Sequence, residues 1–283
     1  MNGLWRRPDF LKLWSGQTIS LLGTQITLLA IPILAAVLLQ ATPAQMGILS
    51  ALELAPALLL GLLTNLWIDR LPRRPIMITI DVLRALILFT IPAAGWMGFL
   101  SIRLLYGLGF LLGSANFLFT VLCRAYLPAL VEKEDLLEAN SKLEVSSALA
   151  EIAGPGFAGR LVDWLSAPFA IIVDAASYLV SAFSLAWIKK PEPAPAAGDD
   201  REPVGSKLTS GLRLIFSKPV LRAITFSAMT SNFAGGFYSA LLVLYITREL
   251  GLSALFLGVM YGVGSFSGVA ATLLIRPEER RVG

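Results

Sequence analysis

Histidine is absent from this chain and cysteine occurs once, as Cys123. Without imidazole there is no histidine-based metal site, acid–base dyad or catalytic triad, and one thiol cannot form an intramolecular disulfide. Cys123 reads as a small apolar residue at a helix end. Charge is scarce as well. Asp, Glu, Lys and Arg make up 15% of the residues against 56% hydrophobic, more apolar than a water-soluble core of this size requires. G-x-S-x-G, H-E-x-x-H and the Walker A pattern do not occur, which removes the usual signatures of acyl transfer, zinc proteolysis and nucleotide hydrolysis. Gly154, Gly156 and Gly159 do spell G-x-G-x-x-G, but no strand precedes them and Pro155 sits inside the fingerprint, so a dinucleotide site is rejected. No enzyme, cofactor or metal is expected.

Long apolar stretches are what the chain has in abundance, with a mean hydropathy of +0.73. Charge-free intervals run from Leu13 to Leu52, Ala85 to Ile102, Leu104 to Cys123, Ala223 to Thr247 and Leu250 to Ile275. A helix needs about 20 apolar residues to cross the hydrocarbon core. The pattern predicts an all-α, polytopic membrane protein with spans at 14–40, 44–68, 75–97, 101–124, 143–164, 168–188, 219–247 and 253–275. Barrel strands would alternate in polarity over about ten residues, and these runs do not. The first run exceeds a signal-peptide core and passes through Gln40-Ala41-Thr42-Pro43 straight into the second.

Charge placement sets the expected orientation. With the N-terminus inside, nineteen of the 23 Lys and Arg fall on cytoplasmic segments, while Arg103, Arg160 and Arg248 lie near outer ends and Arg84 lies inside a span. Both ends are therefore expected in the cytoplasm of a cell bounded by a plasma (inner) membrane. The net charge of +4 follows from this bias, and its spread over separate loops gives no stripe for nucleic acid. From Lys189 to about Ser217, prolines and acidic residues interrupt the hydrophobic pattern and mark a cytoplasmic linker. The expected organisation is a six-helix bundle at 1–188, the linker at 189–217, two helices of a second bundle at 218–275 and a tail at 276–283. Pro8 and Gly47 recur as Pro219 and Gly258, both 211 residues on, as in parallel transporter repeats.

Several motifs bring a family with them. Asp69-Arg70-x-x-Arg73-Arg74, between the second and third spans, resembles the loop signature of the major facilitator superfamily. Leu127-Pro128-Ala129-Leu130-Val131, Leu136-x-x-Ala139-Asn140-Ser141, Gly154-Pro155-x-x-x-Gly159 and Asp174-Ala175-x-Ser177-Tyr178-Leu179 resemble its small-molecule exporter branch, which includes enterobactin exporters and macrolide efflux proteins. The resemblance implies twelve helices, alternating access, and a proton-coupled or otherwise gradient-driven antiporter that moves a small-molecule substrate across the bilayer. It implies that Asp69 holds a cytoplasmic seam with Arg70, Arg73 and Arg74 as partners or lipid anchors, and that Gly154, Pro155 and Gly159 form the antiporter signature of the fifth helix. Two departures stand out. Asn65 replaces the usual glycine before the loop, and a second half as long as the first would end at about residue 399, so the eight spans (6 + 2) read as a C-terminally truncated set. A non-transporting remnant or scaffold stays open beside the exporter.

Ionisable residues inside spans are costly and default to functional candidates. Glu53 and Asp174 lie about 10 Å from the outer face, and Glu151 and Arg84 about 12 Å from the inner one. Asp81 and Arg84, three apart, share a helix face and can pair. Depth alone further suggests Arg84 near Glu151, and Asp174 near Arg103 or Arg160. Glu53 or Glu151 is the expected proton carrier. Trp14, Gln17, Gln25, Phe117, Phe119, Asn232 and Tyr238 are candidates for lining a substrate cavity.

Overall fold

With few polar side chains to offer, this backbone satisfies its own N–H and C=O groups along helices, the economical solution in hydrocarbon. The computed structural model describes residues 4–64, 72–192, 213–214 and 216–279. Eight long helices account for most of them: α1 Pro8–Ile33, α2 Pro43–Thr64, α3 Arg73–Trp96, α4 Ile102–Leu130, α5 Leu136–Leu165, α6 Ala167–Ala186, α7 Pro219–Leu244 and α8 Ala254–Glu279. There is no strand among the described residues. Seven of the helices are long and apolar enough to cross a membrane. The eighth, α5, carries Glu144, Glu151, Arg160 and Asp163 within its span, which lowers its hydropathy.

The helices begin and end for identifiable reasons. Pro8, Pro168 and Pro219 sit in the first turns of α1, α6 and α7, where the missing N–H costs no intrahelical bond. Ser101 caps α4 by accepting from the Leu104 amide. Single π-turns, Leu34–Leu38 and Tyr245–Glu249, close α1 and α7. α4 and α5 overrun the hydrophobic intervals that mark them in the sequence. They extend through Arg124 and Glu138 to a short turn at Lys133–Asp135. There Arg7 pairs with Glu132 at 3.0 Å and Asp135 at 2.8 Å. The hydrogen bond from Arg7 holds the Glu132 carboxyl below its usual range.

Two apolar clusters fill the bundle. One, around Phe10, Met77, Phe119 and Tyr126, lies at the end that carries Arg7, Lys12 and Arg74; the other, around Ile26, Leu34, Leu88, Ile171 and Leu257, lies at the opposite end. α1 packs on α5 and α6, α3 on α4 and α6, and α2 on α4 and α7. The broadest packing of all joins α5 to α8, and its chemistry is backbone against backbone. A methyl at Gly159 would strike the Ala254 carbonyl, and one at Gly258 would strike the Pro155 carbonyl. Small residues at such crossings let helices approach where lipid supplies no hydrophobic drive for association.

Two polar clamps lie at the end opposite Arg7, one at this joint and one between the ends of α7 and α1. The Asp163 carboxylate accepts from the amides of Ala254 at 2.9 Å and Leu255 at 3.0 Å, placing a negative charge on the N-terminus of α8. Arg248 donates through two nitrogens to the Ala36 carbonyl at the end of α1, with Nε at 2.7 Å. Each clamp sets a side-chain charge against a helix end of complementary polarity.

Ser166 links α5 to α6 as a single residue with φ 68° and ψ 158°, a region that only glycine occupies without strain. Ser166→Gly is therefore expected to stabilise the α5–α6 hairpin by about 1 kcal/mol, seen as a higher midpoint for thermal unfolding of the purified chain in detergent. Gly258→Leu is expected to cost at least about 1–3 kcal/mol in the same assay, because the displaced atom is a backbone carbonyl that cannot rotate away.

Candidate functional site

Four helices enclose the main cavity, of about 330 Å³. α1 contributes Thr24, Thr27, Leu28 and Ile31; α2 contributes Glu53, Leu54 and Ala57; α4 contributes Asn116, Phe117 and Thr120; α6 contributes Tyr178. The lining is apolar apart from three threonines, an amide, a phenol and one carboxyl group. α2 reaches this position because α4 is thin where they cross: a methyl at Gly113 would collide with the Glu53 carbonyl. The Glu53 side chain has neither an ion pair nor a hydrogen bond among the described residues.

Behind Tyr178 lies a buried charge cluster. Asp81 is 0% and Arg84 4% exposed, and Arg84 Nη1 donates to Asp81 Oδ1 at 3.0 Å. Arg84 Nη2 donates to the Ala115 carbonyl of α4 at 3.0 Å. The guanidinium also lies over two rings, 4.2 Å from the Phe119 centroid and 5.0 Å from that of Tyr178. Two hydrogen bonds, a carboxylate and two aromatic faces thus compensate one desolvated cation. Tyr178 connects this cluster to the cavity, because its hydroxyl meets Thr24 Oγ1 at 3.1 Å and Asn116 Oδ1 at 3.5 Å. Asp174, 0% exposed, accepts from the hydroxyls of Thr27 and of Ser177, the latter at 3.0 Å.

The remaining candidates separate into different surroundings. Glu151 accepts from Ser147 at 3.2 Å and lines a second cavity of about 280 Å³ with Gln25, Pro155, Ser239 and Tyr261. This cavity adjoins the first across Leu28. Arg84 pairs with Asp81 and not with Glu151, and Asp174 meets hydroxyls and not Arg103 or Arg160; both arginines are exposed at helix ends. Depth along the membrane normal matched these residues, but helix rotation points them apart. Gly154 is packed against Gln25 of α1, and Gly159 against α8, so the helix-five motif serves as a packing surface on two sides. Phe117 and Gln25 line the cavities, whereas Phe119 lies under Arg84, Trp14 bonds to Ser146 and Gln17 to Ser181.

Of the loop motif, Asp69 and Arg70 lie outside the described residues, as does Asn65. Arg74 donates to the Leu185 carbonyl at 2.9 Å and the Ala186 carbonyl at 2.5 Å, capping the end of α6. Glu192 in turn accepts from the backbone amides of Arg73 at 2.9 Å and Arg74 at 3.1 Å. The basic half of the motif therefore ties the start of α3 to the end of α6. Most of the linker, 193–212, also lies outside the described residues.

The family description Major Facilitator Superfamily matches residues 13–282. An uncharacterized MFS-type transporter, y4rN, of Sinorhizobium fredii (strain NBRC 101917 / NGR234) is 24% identical over 276 residues, which is 96% of this chain and 67% of that protein. Another, YfiS of Bacillus subtilis (strain 168), is 25% identical over 217 residues, 76% of this chain and 51% of that protein. Among solved structures, a bacterial homolog to the human lysosomal transporter Spinster, in its inward-facing and unoccupied conformation, superposes with a TM-score of 0.68 at 16% identity. That match covers 93% of this chain and 60% of the other, so the chain spans roughly half to two thirds of the length of the proteins it resembles. At such identity the structural likeness speaks for the fold. The match to nearly the whole of the sequence speaks for descent: this multi-pass membrane protein belongs to the Major Facilitator Superfamily.

Proposed function

We propose that this chain is the transport core of a secondary active exporter, one that moves a small amphipathic compound of drug or siderophore type out of the cell in exchange for protons that enter down their gradient. The reading rests on family membership and on one observation: Glu53 stands in an apolar cavity with no cationic partner among the described residues. An isolated carboxylate in such surroundings is costly. It is relieved either by a proton or by a ligand that excludes one, and exchange between the two is the elementary step of antiport. Asn116, Thr24 and Thr27 supply a few hydrogen-bonding points on otherwise apolar walls, and the Phe117 ring supplies a stacking face, a combination suited to a drug-sized amphipath.

Orientation and motion belong to the same proposal. The end that carries Arg7, Lys12 and Arg74 faces the cytoplasm of a plasma membrane, with both termini on that side. The Asp163 and Arg248 clamps then close the outer end, and the cavities open inward. Alternation requires that these clamps release while a cytoplasmic seam forms around the Asp69–Arg74 loop. A non-transporting membrane scaffold is the second reading.

Proteoliposomes that contain the chain and face an imposed pH gradient distinguish the two readings. A panel of fluorescent amphipathic dyes is expected to reveal gradient-dependent movement abolished by an uncoupler. Glu53→Gln is expected to lower that rate by about tenfold or more, equivalent to roughly 1.4 kcal/mol of lost coupling. Undiminished gradient-driven movement in both Glu53→Gln and Glu151→Gln would overturn the assignment of the carrier, and no movement of any dye would favour the scaffold.

A further inference from the structure

Asp81 and Asp174 share one neighbourhood and one cation, yet their hydrogen-bond partners differ in kind. Asp81 accepts from the Arg84 guanidinium, a full positive charge that only donates, and also faces the Ser181 hydroxyl, so of the two acids it is the one whose ionised form has a direct cationic partner. Asp174 is held by two hydroxyls, Thr27 Oγ1 on Oδ2 and Ser177 Oγ on Oδ1. A hydroxyl donates to a carboxylate and, after rotation, accepts from a carboxylic acid. The Asp174 pocket therefore accommodates the ionised and the protonated group with the same heavy-atom geometry.

The charge count points to which form is present. Two acids and one base make up the cluster, leaving one negative charge in excess when both acids are ionised. Arg84 cannot offset it by direct contact, because its hydrogen bonds go to Asp81 and Ala115 and its faces to Phe119 and Tyr178. From α3, Asp81 and Arg84 are the charged groups near Asp174; on its own helix the titratable neighbour is Tyr178. α1 presents Thr27 and Gly23, neither of them charged. On α5, Glu151 and Arg160 are exposed and Asp163 caps α8, so none of them contacts Asp174. The pocket is also sterically closed, since a methyl on Gly23 would collide with Ser177 Oγ and Asp174 Oδ1. One side remains accessible: Thr27 lines the Glu53 cavity.

We propose that Asp174 is a proton-binding site, loaded from the Glu53 cavity through the Thr27 hydroxyl. A proton from the cavity adds to the Thr27 oxygen as the existing Thr27 proton passes to Asp174 Oδ2. The new O–H bond forms on Asp174, the old one breaks on Thr27, and the threonine ends unchanged. The neutral acid then cancels the excess charge beside Arg84. Its role in transport rests on the gradient-driven reading; its existence does not.

Infrared difference spectroscopy of the reconstituted full chain, in H₂O and D₂O at pH 7, reads the site directly. The C=O stretch of a protonated, hydrogen-bonded carboxyl is expected in the native protein and in Glu53→Gln, shifting in D₂O, and is expected to vanish in Asp174→Asn. Asp174→Asn, a neutral near-isostere, is expected to move the thermal midpoint by no more than about 2 °C, whereas Asp81→Asn, which strands Arg84, lowers it by about 5–10 °C. If Asp174→Asn fails to fold, Thr27→Val carries the test: the band is retained, moves to higher wavenumber and exchanges with D₂O more slowly. A carboxyl spectrum unchanged by either substitution would overturn the proposal, as would loss of the band on adding sodium at fixed pH, which would reassign the pocket to an alkali cation. The outcomes separate cleanly from the transport question. Efflux without the band sinks the Asp174 site alone, and the band without efflux sinks the exporter reading alone.

Discussion

A single guanidinium, buried at mid-helix, constrains most of the first six helices. Arg84 belongs to α3, yet its hydrogen bonds reach α4, its faces press on α4 and α6 rings, and its counterion sits one turn before it. Lipid offers no alternative partner for a full charge at that depth. Any rotation of α3 that exposed Arg84 would cost the desolvated cation its compensation, and any rotation of α6 would remove Tyr178 from it. The register of these helices is therefore fixed by electrostatics as much as by packing. The cavity inherits that register, since Tyr178 contacts the guanidinium with its ring and the cavity residues Thr24 and Asn116 with its hydroxyl. Removing either member of such a buried pair costs on the order of 3–5 kcal/mol, comparable to a large part of the stability of an ordinary domain.

Legibility in the sequence followed the physics of each feature. The helices were readable because lipid leaves few other ways to satisfy a backbone, so long charge-free intervals map onto spans. Boundaries were less so: α4 and α5 run on to Leu130 and back to Leu136 where hydropathy has already fallen, because helix continues as long as its hydrogen bonds do, in lipid or out of it. The Asp81–Arg84 pair was legible from its spacing of three. The partners of Asp174 were not. Thr and Ser are too common in spans for Thr27 or Ser177 to stand out, and depth matching directed attention to Arg103 and Arg160 instead. Depth follows from counting residues; rotation about the helix axis depends on which neighbour is on which side, and no count supplies that. The one usable signal was the Asp174-Ala175-x-Ser177-Tyr178 motif itself, which contains the acid, one of its hydroxyl partners and the ring beneath Arg84.

The joint between α5 and α8 illustrates a different division of labour. Gly159 and Gly258 give the close approach, but backbone contact between helices resembles any other apolar contact in strength and does not dictate one relative position over its neighbours. Asp163 adds direction at this joint, and Arg248 does the same where α7 ends beside α1. Each acts on a helix end, where four backbone groups lack intrahelical partners, so the clamp fits at one register only. Each is a single side chain on backbone groups at one helix end, whereas Arg84 is held from several sides inside the bundle. Glycine crossings that permit sliding, combined with charge–dipole clamps that select one position, are what a joint needs if it is to occupy two positions rather than one.

Three carboxyl groups of the bundle thus differ by the company they keep. Asp81 is committed to a cation and cannot leave it without stranding a buried charge. Asp174 faces hydroxyls, which tolerate either protonation state. Glu53 faces an open cavity and has no hydrogen-bond or ion-pair partner among the described residues. α6 carries Asp174 and also Leu185 and Ala186, the carbonyls that Arg74 holds. A motion that loosens the Arg74 cap at one end of α6 would therefore be felt at Asp174 in its middle, linking the loop motif to the buried acid through one rigid helix.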